Sequence, residues 1–432
     1  MGKLFGTDGI RGIVGENLTV ELAFHTGQAI AAVLKEEKGR APLITIGKDT
    51  RISSDMLESA LICGICSVGG DVMPFGVLPT PAVAYLTVLK GADAGIVISA
   101  SHNPFEHNGI KVFNEKGYKL PDATEAKIEE KILSGETIPV ATRGEIGVLH
   151  HGLKQSKLEY IHHLTTTIDP DLSGLRVLVD CANGAASATA PELFGRFKCY
   201  ADFIHREPNG TNINDRCGST HLESLGQRVV AGKYDVGVAF DGDKIMAVCG
   251  AYMKRNGRLT GNTIVATVMS NLGLHEFCRK NGIDLVCTNV GDRNVLEKMV
   301  ECGYKLGGEQ SGHMIFTDYA TTGDGQLSAL QFLQILALSG KSASVLTADC
   351  PQYPQVLLNV VVSHDRGVKE AIMASDALKT AVADEEKFLR GEGRILVRPS
   401  GTEALIRVMV EAKTESVAQL VAERLVKVIR SV

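Results

Sequence analysis

Residues 94–104 read Ala-Gly-Ile-Val-Ile-Ser-Ala-Ser-His-Asn-Pro, and this stretch indicates how the chain folds. Its first five residues are apolar and rich in β-branched side chains, as in a buried strand, and small polar residues and a proline follow them. Open α/β sheets bind ligands at the carboxyl ends of their strands. The stretch therefore predicts a strand of an α/β sheet with the Ser101 hydroxyl at its functional edge, as a candidate nucleophile or phosphate carrier.

Three more apolar runs end in loops of different chemistry. Val236 to Phe240 leads into Asp241-Gly-Asp243, Tyr304 to Leu306 into Gly307-Gly-Glu-Gln-Ser-Gly-His313, and Arg394 to Val397 into Arg398-Pro-Ser-Gly-Thr-Glu403. These loops supply paired carboxylates, mixed polar groups, and a cation beside hydroxyl and amide donors. Together with a strand-end serine hydroxyl, they indicate a site for phosphoryl transfer.

Length and composition limit the classes of protein that this chain can represent. At 432 residues it exceeds one ordinary core, and three or four domains are expected. A net charge of −5 and scarce aromatic residues argue against nucleic-acid binding. No apolar stretch is long enough for membrane insertion, and the ten scattered cysteines suit a reducing compartment, so a cytoplasmic location is expected.

The motif Gly6-Thr-Asp-Gly-Ile-Arg-Gly12 precedes the four loops above. With these motifs in family order, the chain resembles the α-D-phosphohexomutase superfamily over nearly its whole length. The resemblance implies an α/β fold, with three related α/β domains (mixed sheets flanked by helices) plus a smaller α+β C-terminal domain around a central cleft. The implied domains are 1–153 with the phosphoserine, 154–243 with the metal loop, 244–352 with the sugar-recognition loop, and 353–432 with the phosphate-binding loop.

Hydrophobic periodicity adds individual elements to this outline. Pro351 and Pro354 predict a linker, because proline interrupts helices and central strands. Before the linker, helical patterns cover Val20 to Glu37, Ile245 to Arg255, Thr263 to Leu272 and Gly325 to Leu338. Beyond the linker, the pattern predicts helices over Gly367 to Leu389 and Ser416 to Ile429.

The resemblance also implies roles for residues around the reacting phosphate. Ser101 is the position that carries the phosphoryl group, and His102 either positions the phosphate or makes a structural hydrogen bond. Arg11, in the same amino-terminal loop as Thr7 and Asp8, and Lys111 supply positive charge, and either could move a proton. Without the resemblance, a serine in a turn is best explained by a hydrogen bond to the backbone.

Substrate contacts are implied in the same way. Glu309 and Ser311 would form hydrogen bonds with sugar hydroxyls, and His313 is a candidate for proton transfer or phosphate contact. Arg398, Ser400, Gly401 and Thr402 would hold the phosphate distal to the reaction, since an arginine fork suits a phosphate group. Arg407 would reinforce this clamp or form a surface ion pair. Without the resemblance, the loop of residues 307–313 and the loop of residues 398–403 are explained equally well as polar connectors between elements.

The metal loop departs from the family pattern. Ser101, Asp241 and Asp243 imply one Mg²⁺ per chain, although Asp-Gly-Asp alone is also a common polar turn. In relatives the loop resembles Asp-Gly-Asp-x-Asp-Arg, with a short hairpin and a second Asp-Gly-Asp before a helix, whereas here Asp243 runs directly into Lys244. Either a hairpin is missing from the sequence in hand, which we prefer because every other motif is present, or the protein has lost it.

The resemblance implies an isomerase that converts glucosamine 6-phosphate into glucosamine 1-phosphate through a phosphoserine and a 1,6-bisphosphate intermediate. Glucosamine 1,6-bisphosphate or a similar compound would act as activator, and the product would feed UDP-N-acetylglucosamine and cell-wall precursor synthesis. The alternatives are a phosphomannomutase or phosphoglucomutase with the same mechanism, or a catalytically silent binding protein if the shortened metal loop is genuine. The expected partners are a phosphorylated hexosamine and a second copy in a homodimer, with no nucleic acid.

Overall fold

The computed structural model describes residues 4–6, 9–151, 153–169, 171–239, 243–363, 366–400 and 404–432. The chain forms two compact units, one of Met1–Val268 with Asp284–Leu346 and one of Met269–Ile283 with Thr347–Val432. Within the described ranges, three sheets belong to the first unit and one to the second. This arrangement of sheets and helices confirms the predicted fold class, while the four domain boundaries stay a prediction.

The first region of the first unit is a mixed five-stranded sheet with helices packed against it. Its elements are β1 (Ile10–Ile13), α1 (Val20–Lys38), β2 (Leu43–Lys48), α2 (Ser54–Ser67), β3 (Asp71–Val77), α3 (Thr80–Leu89), β4 (Ala94–Ile98), β5 (His107–Asn114), α4 (Asp122–Leu133) and α5 (Leu153–Thr165). The strand order is β1-β5-β4-β2-β3. As the apolar run predicts, β4 is buried along its whole length, so the chain that follows Ile98 leaves the sheet at its carboxyl edge.

The second region is a parallel three-stranded sheet with the order β7-β6-β8. Its elements are β6 (Arg176–Asp180), α6 (Ala190–Gly195), β7 (Tyr200–Ile204), α7 (Glu223–Gly232) and β8 (Val236–Val238). Two hydrogen bonds join it to the loop after β2: the Thr50 hydroxyl donates to the Asn183 carbonyl at 2.6 Å, and the Ile52 amide donates to the Gly210 carbonyl at 2.8 Å. The second sheet is thereby tied to the first through main-chain acceptors.

The third region contains the elements α8 (Asp243–Arg255), β9 (Thr263–Thr267), α9 (Leu272–Lys280, in the second unit), β10 (Asp284–Thr288), α10 (Asp292–Cys302), β11 (Leu306–Gly308), β12 (Met314–Phe316), α11 (Gly325–Ser339) and α12 (Ala343–Thr347). The strand order is β10-β9-β11-β12. The prediction of a helix over Thr263 to Leu272 is wrong, because β9 occupies the first half of that range and α9 begins only at Leu272. Its Thr, Ile and Val residues are buried on both faces between β10 and β11, which removes the alternation that marks a half-exposed strand.

The sheet of the second unit is antiparallel, with the order β13-β15-β14. Its elements after α12 are β13 (Gln355–Val361), α13 (Arg366–Ala374), α14 (Asp376–Leu389), β14 (Gly393–Pro399), β15 (Leu405–Ala412) and α15 (Glu415–Ser431). The single helix predicted over Gly367 to Leu389 is two helices, because Ser375 leaves the helical conformation and its hydroxyl accepts from the Leu378 amide as an N-cap. Within the described ranges, no helix combines the length and the apolar character needed to cross a membrane.

Candidate active site

Ser101 lies in a tight loop directly after β4. Its φ of 57° is in the left-handed region, which residues other than glycine, asparagine and aspartate seldom adopt. The Ser101 amide donates to the Ser99 hydroxyl at 3.1 Å, and the Asn103 amide donates to the Ala100 carbonyl at 3.2 Å. A non-glycine residue in this conformation needs support from its surroundings, and such positions cluster at active sites.

Arg51 and Asn214, from two other loops, donate hydrogen bonds to the same two carbonyl oxygens of the Ser101 loop. Arg51 Nη2 donates to the carbonyls of Ser101 at 3.1 Å and of Asn103 at 2.6 Å. Asn214 Nδ2 donates to the same carbonyls, at 2.9 Å and 3.1 Å. Arg51 follows β2 in the first sheet, whereas Asn214 belongs to the loop before α7, so two regions of the first unit together fix the Ser101 backbone.

Arg51 is fully buried and is held in turn by Asp49. Its guanidinium forms an ion pair with the Asp49 carboxylate, which also accepts from the Arg51 amide and the Ser54 hydroxyl, each at 3.1 Å. Burial lowers the pKa of Arg51, while the Asp49 charge opposes this effect. A buried pair of this kind is costly to break, because removing one partner leaves an uncompensated charge.

Six of the residues predicted from sequence line one cleft of about 940 Å³ in the first unit. They come from β1, from the loop after β4 and from the loop after β11, and they are Arg11, Ser101, His102, Glu309, Ser311 and His313. Lys111 is buried on β5 and is not among the lining residues. Thr7 and Asp8 lie outside the described residues.

Positive charge is concentrated around His102. Partial burial lowers the pKa of His102, and the nearby charges of Arg11, His313, Lys111 and Arg51 lower it further. Because this pKa lies below its ordinary value of 6.5, the imidazole is mainly neutral at pH 7 among the charges of Arg11, Lys111 and Arg51. Such a group of cations suits an anionic ligand in a protein whose net charge is −5.

The loop after β11 places a carboxylate and an imidazole at the same cleft. Burial raises the pKa of Glu309, and its Oε1 accepts from the Gly291 amide at 2.9 Å. The Glu309 amide donates to the His313 carbonyl at 3.1 Å. His313 Nδ1 is buried, and the described residues provide it with no hydrogen-bond partner. A ligand with hydroxyl or phosphate oxygens could supply that partner.

The structure corrects our preferred explanation of the metal loop. Asp243 is the first residue of α8 and continues directly into Lys244, and the sequence is complete at this point, so no hairpin is missing from it. Asp241 lies outside the described residues, and Asp243 is buried. Mg²⁺ prefers oxygen ligands, so the carboxylates of Asp241 and Asp243 and a phosphate oxygen are ligands of the right type. The loop nevertheless lacks the third aspartate and the arginine of the family pattern.

Sequence reasoning missed an acidic face of α4 that lines the same cleft. Asp122, Glu125, Glu129 and Glu130 all border it. Glu129 Oε2 accepts from the amides of Leu4 and Phe5, at 2.9 Å and 3.0 Å, and so holds the segment that leads towards Arg11. Burial, together with the charges of Asp122 and Glu129, raises the pKa of Glu125 from 4.5 to about 7. The spacing of these acids is visible in the sequence, but on an amphipathic helix it normally marks a solvent-exposed face.

Glu125→Gln is expected to stabilise the protein above neutral pH only. Glu125 stays protonated to higher pH in the folded state than in the unfolded state, so ionising it destabilises the fold. This loss of stability is absent below about pH 4.5, grows between the two pKa values and is complete above about pH 7. After allowance for solvent screening, we expect the free energy of unfolding to rise by about 1–2 kcal/mol at pH 8 and to change little at pH 4. Urea unfolding at both pH values, with Glu130→Gln as control, measures this. An equal change at both pH values would contradict it.

In the second unit, two of the predicted phosphate ligands lie side by side. Arg398 on β14 is directly opposite Arg407 on β15 in the antiparallel register, so their side chains share one face of the sheet. Burial and the Arg407 charge lower the pKa of Arg398. Ser400 is buried, and its carbonyl accepts from Lys369 Nζ at 3.2 Å, which brings a third cation to this hairpin. Like charges placed opposite each other are unfavourable without an anion, so this arrangement suits a phosphate. Gly401 and Thr402 lie outside the described residues.

Comparison with known protein families agrees with this geometry. Four models match consecutive segments of the chain: the phosphoglucomutase/phosphomannomutase alpha/beta/alpha domains I (residues 2–138), II (158–245) and III (241–353), and the C-terminal domain of the same proteins (357–428). Among solved structures, a phosphoglucomutase/phosphomannomutase family protein from Burkholderia thailandensis has a TM-score of 0.78 at 21% identity, covering 100% of this chain and 98% of that one. An N-acetylphosphoglucosamine mutase from Aspergillus fumigatus, in complex with GlcNAc-6P and magnesium, has a TM-score of 0.69 at 16% identity, covering 100% and 96%. At these identities the structures show a shared fold.

Curated relatives are more similar in sequence. The phosphoglucosamine mutase of Desulforudis audaxviator is 50% identical, covering 100% of this chain and 99% of the relative. That of Ruminiclostridium cellulolyticum is 49% identical, covering 99% of each. The Desulforudis alignment extends over 450 residues, whereas this chain has 432, so the relative carries residues that this chain lacks. The chain belongs to the phosphoglucomutase/phosphomannomutase family, among the phosphoglucosamine mutases, and is an isomerase of the phosphohexomutase type.

Proposed function

We propose that this chain interconverts glucosamine 6-phosphate and glucosamine 1-phosphate, with Ser101 as the phosphoryl carrier. In the first step the Ser101 Oγ–P bond breaks and a bond from phosphorus to the sugar O1 forms, which gives the 1,6-bisphosphate. In the second step the O6–P bond breaks and the 6-phosphoryl group binds Ser101 Oγ, so that glucosamine 1-phosphate remains. The sugar O1 gives up its proton in the first step, and O6 takes one up in the second. The observation that carries this proposal is the position of Ser101 at a cleft next to His102, on which the charges of Arg11, Lys111 and Arg51 act, in a chain similar to phosphoglucosamine mutases over its full length.

The residues of the first unit would act on the reacting end of the sugar. Arg11 and Lys111 would offset negative charge on the transferring phosphoryl group, because preorganised cations stabilise developing charge. His102 would hold or move a proton. Glu309 and Ser311 would bind sugar hydroxyls, and His313 would bind a phosphate or hydroxyl oxygen through Nδ1. Arg398, Ser400 and Arg407, with Gly401 and Thr402, would hold the idle phosphate while the other end reacts.

A metal ion is part of the proposal. Asp241, Asp243 and the Ser101 phosphate would hold one Mg²⁺, which when bound neutralises charge on the phosphoryl group. Glucosamine 1,6-bisphosphate or a similar compound would prime Ser101. The remaining chemistry depends on this chain's own residues, which would orient the phosphoserine through its backbone carbonyls and place the charges of Arg11, Lys111 and Arg51 near it.

A second candidate function rests on the shortened metal loop. Because the sequence runs from Asp241-Gly-Asp243 directly into Lys244 without the third aspartate and arginine of the family pattern, the chain could bind phosphorylated hexosamines without turning them over. We also propose a cytoplasmic homodimer. The ten cysteines are all free thiols, as expected in a reducing compartment. Light scattering coupled to gel filtration tests the dimer.

The decisive experiment compares turnover of three hexose 6-phosphates with Mg²⁺ and the matching 1,6-bisphosphates. We expect kcat/KM for glucosamine 6-phosphate to exceed those for glucose and mannose 6-phosphate by at least about tenfold, or about 1.4 kcal/mol of transition-state discrimination. A preference for glucose or mannose would overturn the substrate assignment. Thermal stabilisation by glucosamine 6-phosphate without any turnover would instead support the silent binding protein.

A further inference from the structure

Three side chains of metal-binding type meet at the carboxyl edge of the second sheet. Asp180 is the last residue of β6, and His205 follows the last residue of β7, which pairs in parallel with β6. Cys217 comes from the loop that precedes α7. One potential ligand atom from each residue lies within 4.8 Å of the other two. Neighbouring parallel strands and a returning loop thus bring oxygen, nitrogen and sulfur donors together.

The carboxylate at this cluster is completely buried and already oriented. Asp180 Oδ1 accepts from the Ala182 amide at 2.8 Å and lies 3.0 Å from His205 Nδ1. Asp180 Oδ2 accepts from the Gly218 amide at 3.0 Å, immediately after Cys217. A carboxylate oxygen has lone pairs to spare after one or two such bonds. Asp180 can therefore bind a cation without giving up the contacts that fix its position.

The distances suit a small ion with short bonds. Two ligands bound to one tetrahedral ion at about 2.0–2.1 Å lie roughly 3.3 Å apart, which is close to the separation between His205 Nδ1 and Asp180 Oδ1. Cys217 is buried beside this pair, and His205 is 26% exposed, so an ion and its fourth ligand, a water molecule, have a path from solvent. A modest rotation of side chains would bring the sulfur into bonding range.

Charge and donor type favour a transition metal over a hard cation. The Cys217 sulfur is buried and lies within 4.8 Å of a carboxylate oxygen of Asp180. A divalent ion supplies the positive charge that a thiolate needs next to a carboxylate. Mg²⁺ and Ca²⁺ prefer oxygen ligands alone, whereas Zn²⁺ accepts oxygen, nitrogen and sulfur together.

We propose that Asp180, His205 and Cys217 form a binding site for a divalent transition-metal ion, with Zn²⁺ as the best fit, distinct from the Mg²⁺ site proposed at Asp241 and Asp243. Three protein ligands leave the fourth tetrahedral position to water. The site lies near the phosphoserine loop, because Asn214, three residues before Cys217, donates to the carbonyls of Ser101 and Asn103. A bound ion would restrain the backbone that presents Asn214.

Metal titration of the purified full-length protein tests this site. The chain is treated with a chelator, dialysed into excess Mg²⁺ so that hard-cation sites are filled, and titrated with Co²⁺ and then Zn²⁺. We expect one Co²⁺ to bind with a thiolate-to-cobalt charge-transfer absorption, which Zn²⁺ abolishes by competition. Zn²⁺ should also raise the melting temperature. Neither readout depends on mutase activity, so this proposal and the proposed function can fail separately.

Variants assign the signal to the cluster. Cys217→Ser should abolish the charge-transfer band and weaken Zn²⁺ binding by at least about 10–100-fold. Affinity already falls by this much when a residue that only hydrogen-bonds to a metal ligand is replaced. Cys249→Ser, at a buried cysteine of α8 whose pKa is raised by burial alone, should leave both unchanged. If Cys217→Ser fails to fold, His205→Gln decides, since it changes a partly exposed ligand and should weaken Zn²⁺ binding to a similar extent. Absence of Co²⁺ and Zn²⁺ binding in Mg²⁺, or a band that survives both variants, would overturn the proposal.

Discussion

Ser101→Ala is expected to lower kcat for hexosamine phosphate interconversion by at least about 10³-fold, even with added 1,6-bisphosphate. The variant removes the oxygen that would accept and release the phosphoryl group, so both proposed transfers lose their covalent step. Removing the nucleophile of a covalent mechanism leaves only the contributions of binding and electrostatics. Coupled assays of glucosamine 1-phosphate formation measure the loss. Intact-mass spectrometry after incubation with the bisphosphate should detect one phosphoryl group on the parent protein and none on the variant.

Ser173→Ala serves as the matched control. Ser173 is exposed in the loop before β6, and its replacement should leave both turnover and phosphorylation as in the parent protein. Near-normal turnover of Ser101→Ala would exclude Ser101 as the carrier. Phosphorylation of Ser101→Ala at another residue would have the same consequence.

Arg51→Ala is expected to reduce both stability and catalysis. It leaves the buried Asp49 carboxylate without its guanidinium partner, and breaking a buried ion pair from one side costs about 3–5 kcal/mol of unfolding free energy. It also frees the carbonyls of Ser101 and Asn103 from one of their donors, and a displacement of about 1 Å at a reacting group can lower kcat by about 10²-fold. Urea unfolding and steady-state kinetics measure the two effects.

A second substitution separates the two effects. Arg51→Met combined with Asp49→Asn removes both charges, so we expect most of the lost stability to return while kcat stays low. Asn214→Ala leaves the ion pair intact and should lower kcat by about tenfold with little change in stability. If both variants turn over at the parental rate, the two side chains do not position the Ser101 loop for catalysis.

The sequence alone was sufficient to predict site residues where a buried strand ends in a loop with distinctive polar residues. β4 followed by Ser101 and β11 followed by Glu309 to His313 were both predicted, and the structure brings the two loops to one cleft. In β4 a continuous apolar run gives the strand, and the polar residues after it must lie at the sheet edge. At β11 the strand is Leu306–Gly308, two residues further on than the predicted Tyr304 to Leu306. The pairing of Arg398 with Arg407 was not predicted, because it depends on the register between β14 and β15.

Other features depend on contacts that local patterns do not encode. The Thr263 to Leu272 segment was predicted as a helix because a strand buried on both faces has no alternation to mark it. Arg51 follows β2, which pairs in parallel with β4, so the sequence could have placed this cation at the same sheet edge as Ser101. Its hydrogen bonds to carbonyls depend on the path of the Ser101 loop, which the sequence pattern does not show. Asn214, some hundred positions from Ser101 in the chain, gave no signal at all. Likewise, only folding brings Asp180, His205 and Cys217 together.

Several hydrogen bonds between the first two sheet regions end on main-chain carbonyls, those of Ser101, Asn103, Asn183 and Gly210. Every amino acid carries this acceptor, so the hydrogen bonds themselves do not depend on the side chains of the accepting residues. For these hydrogen bonds, and for those that Arg51 donates to the Ser101 loop, mutational tolerance is therefore expected to be asymmetric: they constrain the donating side chains of Arg51, Thr50 and Asn214, whereas the accepting positions are constrained only by other roles, as Ser101 is by its proposed role in catalysis.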